Sequence, residues 1–548
     1  VRLLRSREER ARWAALAADY RERGAALRRI SAGTPAGDVG RRAWMICTMP
    51  TVWGIKLEGV VSLAAREAGY RPEVVELAED TWVRRYHALF GNRNVQTFVP
   101  RRHAGSPTLG DLPPEIASFL ESRPRTPELL ALTHANVDVG RIALSNVLYR
   151  NKFSRFDITD SDTLAGLRVE LAGIVERVRA AEELVAQRRP HIAFMLEKGL
   201  SPAAELFGVC VAGGVPVVQY VNTQSLNGFA FKRYRWGTRH QHPFSLAAET
   251  WKSVRRTTWS AEDEESLMRT LSESYVSGTW FDRKRLHQDK RIKPVEEVRR
   301  QLELDPEKKT VVVFSHVLWD ATFFYGTSLF DDYETWLTQT IRAACANPRV
   351  NWVVKLHPDL VWKLKQEGYR GELRDLVAMR AAVGALPDHV KVVLPDTDIS
   401  TYTFFSLTDV CLTVRGTIGI EMACHGVPVL TAGTGRYSGL GFTIDSGTRD
   451  EYLARLASIE DTLPLTDAQI HLARRYAHAL FVLRPWQMRS FELIKRRVAE
   501  SSGHPLETNL VPRVQSASEL AGAADLRSLT AWIASDEADY FEAAPKPS

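Results

Sequence analysis

The sequence predicts an α/β protein of two Rossmann-like domains facing one another across a cleft. Three observations support this. At 548 residues the chain exceeds what one ordinary hydrophobic core serves, and two domains of about 200–250 residues with extensions are expected. Short apolar, β-branched runs alternate with helical segments in two separate blocks, the cadence of parallel strands joined by helical crossovers. Between the blocks lies a polar, basic stretch with no strong apolar run.

The N-terminal unit, residues 1–40, reads as a basic amphipathic helix, with Trp13, Leu16, Tyr20 and Leu27 at helical spacing and arginines on the other side. The first Rossmann-like domain spans 41–250. Its strands are expected at 43–47, 73–77, 191–196 and 216–220, with a long helix over 162–188. Residues 251–308 read as the interdomain connection. The second domain, 309–462, has strands at 310–314, 351–356, 389–394, 409–414 and 427–430. Helices follow over 463–505, and 506–548, rich in Ala, Ser, Pro and acids, reads as an acidic, partly ordered tail.

Composition bounds the function. The chain is 45% hydrophobic and 25% charged, as soluble globular proteins are, and holds no uninterrupted apolar run of the ~18 residues a membrane span requires. The first thirty residues are interrupted by Glu8, Glu9, Asp19 and Glu22 and have no apolar core, so this stretch is not expected to act as a secretory signal, and a cytoplasmic location is expected. Five scattered cysteines without a C-x-x-C pair argue against a disulfide framework and a zinc site. The net charge of +6 is patched: nine arginines against four acids in the first thirty residues, and a second basic run over 283–293. Such patches suit a solvated face, or anionic lipids and acidic glycans, and the latter implies peripheral contact at the inner membrane; they form no nucleic-acid stripe.

Ligands of open α/β sheets bind outside the carboxyl ends of the strands, so the strand tips carry the most information. The strand at 409–414 runs into Arg415-Gly416-Thr417-Ile418-Gly419-Ile420-Glu421, where a helix begins. Its N-terminus and close-approach glycines suit a phosphate, with Thr417 adding a hydroxyl, Arg415 a bidentate cation and Glu421 a carboxylate for sugar or ribose hydroxyls. A plain glycine-containing connection with Glu421 as a capping-box partner is the competing reading. The strand at 351–356 ends in Lys355-Leu356-His357-Pro358, where Pro358 forces His357 into extended backbone and off the tip. The strand at 310–314 ends in Ser315-His316-Val317-Leu318-Trp319-Asp320. Three polar clusters at three tips of one sheet point to one site.

This order of motifs, His-Val-x-Trp-Asp, Lys-x-His-Pro, the acidic loop Asp396-Thr397-Asp398, then Gly-Thr-x-Gly-x-Glu-x-Ala-x-x-Gly-x-Pro-Val, resembles the capsule polysaccharide synthesis glycosyltransferases, the superfamily with bacterial Kdo transferases and polysialyltransferase-like enzymes. The resemblance covers about 308–455. It implies the GT-B fold and a donor-binding set of Ser315, His316, Lys355, His357, Pro358, Arg415, Gly416, Thr417, Gly419 and Glu421. The family often has Ser or Asn before the Thr where this chain has Arg415-Gly416. It also implies a nucleotide-sugar substrate, a CMP-sugar favoured, no cofactor and no obligatory metal.

The expected function is transfer of a sugar from a nucleotide-activated donor to a growing capsule-type polysaccharide or its lipid-linked acceptor. Asp320, His357 and Glu197 are the catalytic candidates, Asp320 and Glu197 as the base. On the acceptor side, 229–236 mixes aromatics with cations, suited to stacking on acidic glycans or to an exposed amphipathic segment. Asp160-Ser161-Asp162 and Asp396-Thr397-Asp398 read as helix caps as well as they read as metal sites. The rival functions are a nucleotide-sugar epimerase of similar fold and a non-catalytic capsule assembly or export component.

Overall fold

The computed structural model describes residues 7–33, 38–98, 112–225, 227–277, 290–366, 371–497 and 506–542. The apolar runs build two sheets. The first holds β1 (Asp38–Cys47), β2 (Tyr70–Glu76), β3 (Val95–Thr97), β4 (Ile192–Met195), β5 (Val217–Asn222) and β6 (Gly228–Tyr234). The second holds β7 (Thr310–Phe314), β8 (Asn351–Lys355), β9 (Val390–Val393), β10 (Val410–Thr413), β11 (Val429–Thr431) and β12 (Ile444–Asp445). A late strand, β13 (Trp486–Gln487), returns to the first sheet, whose order is β13-β6-β5-β4-β1-β2-β3, while the second runs β12-β11-β10-β7-β8-β9. Every pairing in the second sheet is parallel, and in the first only the two pairings of β6, with β5 and with β13, are antiparallel.

Side-chain alternation along β1 explains why both faces are covered: Met45 and Cys47 enter one core, Trp44 and Ile46 the other. The strand order reverses between β1 and β4 in the first sheet and between β7 and β10 in the second, which opens a crevice at the carboxyl edge of each. This is the two-domain GT-B frame the sequence predicts.

The structure departs from the sequence reading in four places. Residues 463–505, expected as helices, hold the helix Asp467–His478 but then turn into the strands Trp486–Gln487 and Phe491–Arg497, which pair with distant segments. The 229–236 segment, expected as an exposed amphipathic segment or an acceptor surface, is largely β6: Phe229 and Phe231 are core, Lys232 pairs with Asp539 at 3.1 Å, and Arg233 donates to the carbonyls of Ser535 and Glu537. The 251–308 connection belongs to the second domain, because Trp251, Leu267, Leu271, Tyr275 and Val298 pack into the core beneath that sheet. The tail is folded over 506–542: β14 (Phe491–Arg497) pairs with β15 (Leu506–Pro512), and Leu526, Leu529 and Trp532 of the helix Ala524–Ala534 join the first domain's core. Its acids are not solvated chain. Asp525 accepts from the amides of Arg489 and Ser490 at 2.7 and 2.8 Å, and Asp539 is buried.

Other expectations find their residues. The helix Arg7–Ile30 buries Leu16 and Leu27 and ties Asp19 to Lys56 at 2.7 Å, while 1–6 lie outside the described residues, as do 283–289 of the basic run. Asp160 caps its helix by accepting from Thr163 N at 2.8 Å, whereas Asp398 pairs with Lys293 at 2.8 Å. The five cysteines are free, and among the described residues no helix is long and apolar enough to cross a membrane.

The chain crosses between domains twice, and one cation ties the crossings together. Arg484 is wholly buried. It donates to Pro243 O at 2.7 Å and Phe231 O at 3.2 Å, and sits 3.2 Å from Asp539. Asp539 also accepts from Ala247 N at 2.7 Å. Asp539→Ala strands two buried cations, so we expect a loss of about 3–5 kcal/mol, read as a lower unfolding midpoint, with Asp539→Asn recovering part of it.

Candidate active site in the interdomain cleft

The tips of β7, β8 and β10 converge on a cavity of about 440 Å³ that Asn222, His242 and Phe244 close from the first domain's side. At the β7 tip, Val414 N donates to His316 Nε2 at 3.1 Å, with Thr413 Oγ1 at 3.2 Å. That network makes Nε2 the acceptor, and the ring stacks on Tyr333 at 4.5 Å. Burial, with Arg415 and Arg436 adding to it, holds its pKa down to about 3. His316 is therefore a neutral positioning group whose remaining donor is Nδ1–H.

At the β8 tip, His357 N donates to Ser315 Oγ at 3.1 Å, and Asp359 N donates to His357 Nδ1 at 3.2 Å. The imidazole thus carries its proton on Nε2 while lining the cavity. Lys355 beneath it is 4% exposed, and burial pushes its ammonium down to about 7, with Lys290 acting in the same direction. Among the described residues the ammonium has no hydrogen-bonding partner; the rings of Phe314 and Phe404 lie 5.9 and 5.6 Å away. An unpaired buried lysine in a cavity is disposed to take up an anion.

At the β10 tip, Gly416 N donates to Thr413 Oγ1 at 3.1 Å, closing the turn, and a Cβ on Gly416 would lie 2.9 Å from that oxygen. Thr417 lines the cavity and makes no capping bond with its side chain. Among the described residues its amide and that of Ile418 are unpaired. Gly419 has a different reason from the expected ligand approach and does not line the cavity: Tyr437 donates to Gly416 O at 2.7 Å, and a Cβ on Gly419 would meet that hydroxyl at 2.1 Å. Glu421 is no capping-box partner. It is 1% exposed, accepts from the Tyr275 hydroxyl, and burial pushes its carboxyl up to about 7 against the pull of Tyr275 and Arg436.

Arg415, expected as a phosphate clamp, does not line the cavity. Its guanidinium turns away from the cavity to donate to Tyr325 O, to Thr327 O at 3.1 Å and to Ser328 Oγ, so it braces the 325–328 loop. The arginine that lines the cavity is Arg436, which donates to Arg415 O at 3.2 Å and keeps a buried Nε without a hydrogen-bond partner among the described residues. Asp320 lines the rim, paired with Lys363 at 2.5 Å. Glu197 does not line the cavity; its Oε1 accepts from the amides of Lys198 and Gly199 at 2.7 and 2.6 Å, and burial raises its pKa. Arg436, Tyr275, His242 and Phe244 escaped the sequence reading, because none stands in a strand-tip motif.

One group of metal-ligand type exists among the described residues, Cys47, Glu58 and His87, buried together away from the cleft. Arg66 holds Asn92 Oδ1 at 2.6 Å, which turns the Asn92 amide nitrogen to His87 Nδ1 at 3.4 Å. His87 then keeps its Nε2 proton for Glu58 at 3.3 Å, a closed hydrogen-bonded cluster that leaves no imidazole lone pair for a metal.

Two doubly wound sheets whose carboxyl edges meet over one cation-bearing cavity define a GT-B-type protein with its site between the domains. Residues 269–476 match the family described as "Capsule polysaccharide biosynthesis protein". The matched stretch contains the whole second sheet and Tyr275. A comparison with curated proteins finds no match. Among solved structures the chain is similar to the KpsC beta Kdo 2,4 transferase of Thermosulfurimonas dismutans, at 13% identity over 61% of this chain and 88% of that one, with a TM-score of 0.31. It is also similar to the UDP-GlcNAc 2-epimerase of Neisseria meningitidis, at 11% identity over 80% and 97%, TM-score 0.24. A third is Anabaena Alr3699/HepE in complex with UDP-glucose, at 14% identity over 81% and 95%, TM-score 0.26. Overlaps this loose carry no argument about the chemistry of this chain.

The packing of the β10 turn makes one direct prediction. Gly419→Ala drives a methyl into the Tyr437 hydroxyl and should cost about 1–3 kcal/mol, measured by denaturant unfolding, whereas an alanine at the solvent-facing Gly522, with nothing within 4 Å of its Cβ, should cost nothing of that kind.

Proposed function

We propose that the chain is a glycosyltransferase that moves a sugar from a nucleotide-activated donor to a growing capsule-type polysaccharide or its lipid-linked acceptor. The observation that supports this best is the gathering of Lys355, His357, Arg436 and Thr417 with the Glu421–Tyr275 pair in one cavity at the switch point of the second sheet. Lys355, Arg436 and the Nε2–H of His357 are the groups that would stabilise negative charge developing on a departing phosphate, a task these protein cations can perform without a metal. Glu421, with one oxygen taken by Tyr275, has the other for a sugar or ribose hydroxyl. Asp320 at the rim is our candidate base for the acceptor hydroxyl, since Glu197 is committed to its own loop. A CMP-sugar is the proposed donor. The enzyme would work on the cytoplasmic side, in peripheral contact with the inner membrane.

The test is incubation with CMP-, CDP-, UDP- and GDP-sugars, with and without glycan acceptors, scored for released nucleotide and altered sugar. Acceptor-dependent release is expected. Conversion of the sugar without acceptor would replace this reading by an epimerase. His357→Ala and Thr417→Ala should each lower kcat/KM by about 10²-fold with folding intact, and full activity in both would sink the proposal.

A pH dependence follows from the two shifted groups. Lys355 loses its positive charge and Glu421 gains a negative one as pH rises through about 7. Both changes disfavour an anion, so donor KM should rise by roughly tenfold or more between about pH 6 and 8. Glu421→Gln should flatten the profile, leaving the Lys355 contribution.

A further inference from the structure

Away from the cleft, the helices Ala248–Val254 and Asp467–His478 enclose a second concavity of about 530 Å³. Lys252, Arg255, Arg256 and Arg475 line it with His471 and Leu472, and among the described residues no carboxylate lines it. The cations come from separate elements that Arg475 joins: its Nη1 donates to Thr257 O at 2.7 Å and Val254 O at 3.2 Å, and its Nε to His471 Nε2 at 2.9 Å. Its guanidinium lies 5.5 Å from the ring centre of Trp259, which also meets His471 edge-on at 5.4 Å. His471, accepting at Nε2, keeps Nδ1–H as a donor. The nearby acids stand outside the lining: Glu249 reaches Lys252 only at 3.7 Å in an exposed pair, Glu264 is held by Arg474, and Asp263, which accepts from Ser260 N at 2.9 Å, offsets part of the Arg475 charge and leaves Lys252, Arg255 and Arg256 to the groove. A solvated helix face disperses its charges among both signs; a concavity of one sign concentrates its field on a ligand.

We propose that this groove binds an acidic glycan, a chain carrying carboxylates on successive sugars. A planar bilayer would meet Lys252, Arg255 and Arg256 at the exposed edge, whereas Arg475 is half-buried, within reach of a chain laid along the groove. The groove also shares a helix with the cleft, since Tyr476, the neighbour of Arg475, donates to Arg436 O at 2.7 Å. That the bound chain is the acceptor polymer rests on the transferase reading; the binding itself does not.

Binding of an oligogalacturonate to the full chain is measured by calorimetry at about 50 mM salt, beside a neutral dextran oligomer and phosphatidylglycerol vesicles. The oligogalacturonate should bind, more weakly as salt rises. The triple variant Lys252→Ala, Arg255→Ala, Arg256→Ala should weaken it by about tenfold, while a variant lacking the exposed Arg123, Arg125 and Arg179 binds as the parent does. Absence of oligogalacturonate binding, equal binding of dextran, equal loss in the control variant, or binding of the vesicles alone would overturn the proposal. Donor turnover by the parent chain is scored separately: turnover without oligogalacturonate binding refutes the groove, and oligogalacturonate binding without turnover refutes the transferase reading.

Discussion

The geometry of the cleft depends on a buried ion cluster at the double crossing between domains. Arg484, Lys232 and Asp539 hold two positive charges and one negative in the interior. The excess charge is tolerated because carbonyls of Phe231, Pro243 and Ser245 accept from the cations. Those carbonyls belong to β6 and to the first crossing, while Arg484 follows the helix Asp467–His478 on the second. One guanidinium thus fixes the return path of the chain relative to its outward path. The first crossing then carries His242 and Phe244 to the cavity wall, where His242 N donates to Gly435 O at 2.8 Å.

Beside Arg436, the cavity holds two groups poised to change charge near neutral pH. Burial depresses Lys355 and elevates Glu421 toward the same value of about 7, so each gives up charge readily in the absence of a partner. A phosphate reverses the balance for Lys355 alone, since its negative charge favours the ammonium. His316 serves differently. Fixed neutral between Val414 N and Tyr333, it joins the tips of β7 and β10 and holds the switch point in shape. The site is preorganised by hydrogen bonds from the backbone, and the titrating groups sit on that fixed frame.

What was legible in the sequence was local. Apolar β-branched runs mark the strands of both sheets because a strand covered on two faces needs such residues whatever covers it. Polar clusters directly after those runs locate strand tips, so Ser315, His357, Gly416 and Thr417 could be named from their neighbours alone. β6 was misread for the matching reason: its Lys232 and Arg233 resemble surface residues until Asp539 and the carbonyls of 533–537 are brought to them across about three hundred residues of chain.

By itself the sequence determined the two-sheet frame, the tips that form the second domain's wall and the order of motifs along them. The tertiary structure decided which charged groups enter the cavity. Arg415 stands in the motif yet points to the carbonyls of Tyr325 and Thr327, while Arg436, in no motif, reaches the site. Tyr275 meets Glu421 from 146 residues away. The physical reason is common to all three: a long side chain's direction is set by the partner that satisfies its polar end, and that partner is fixed only when distant segments pack.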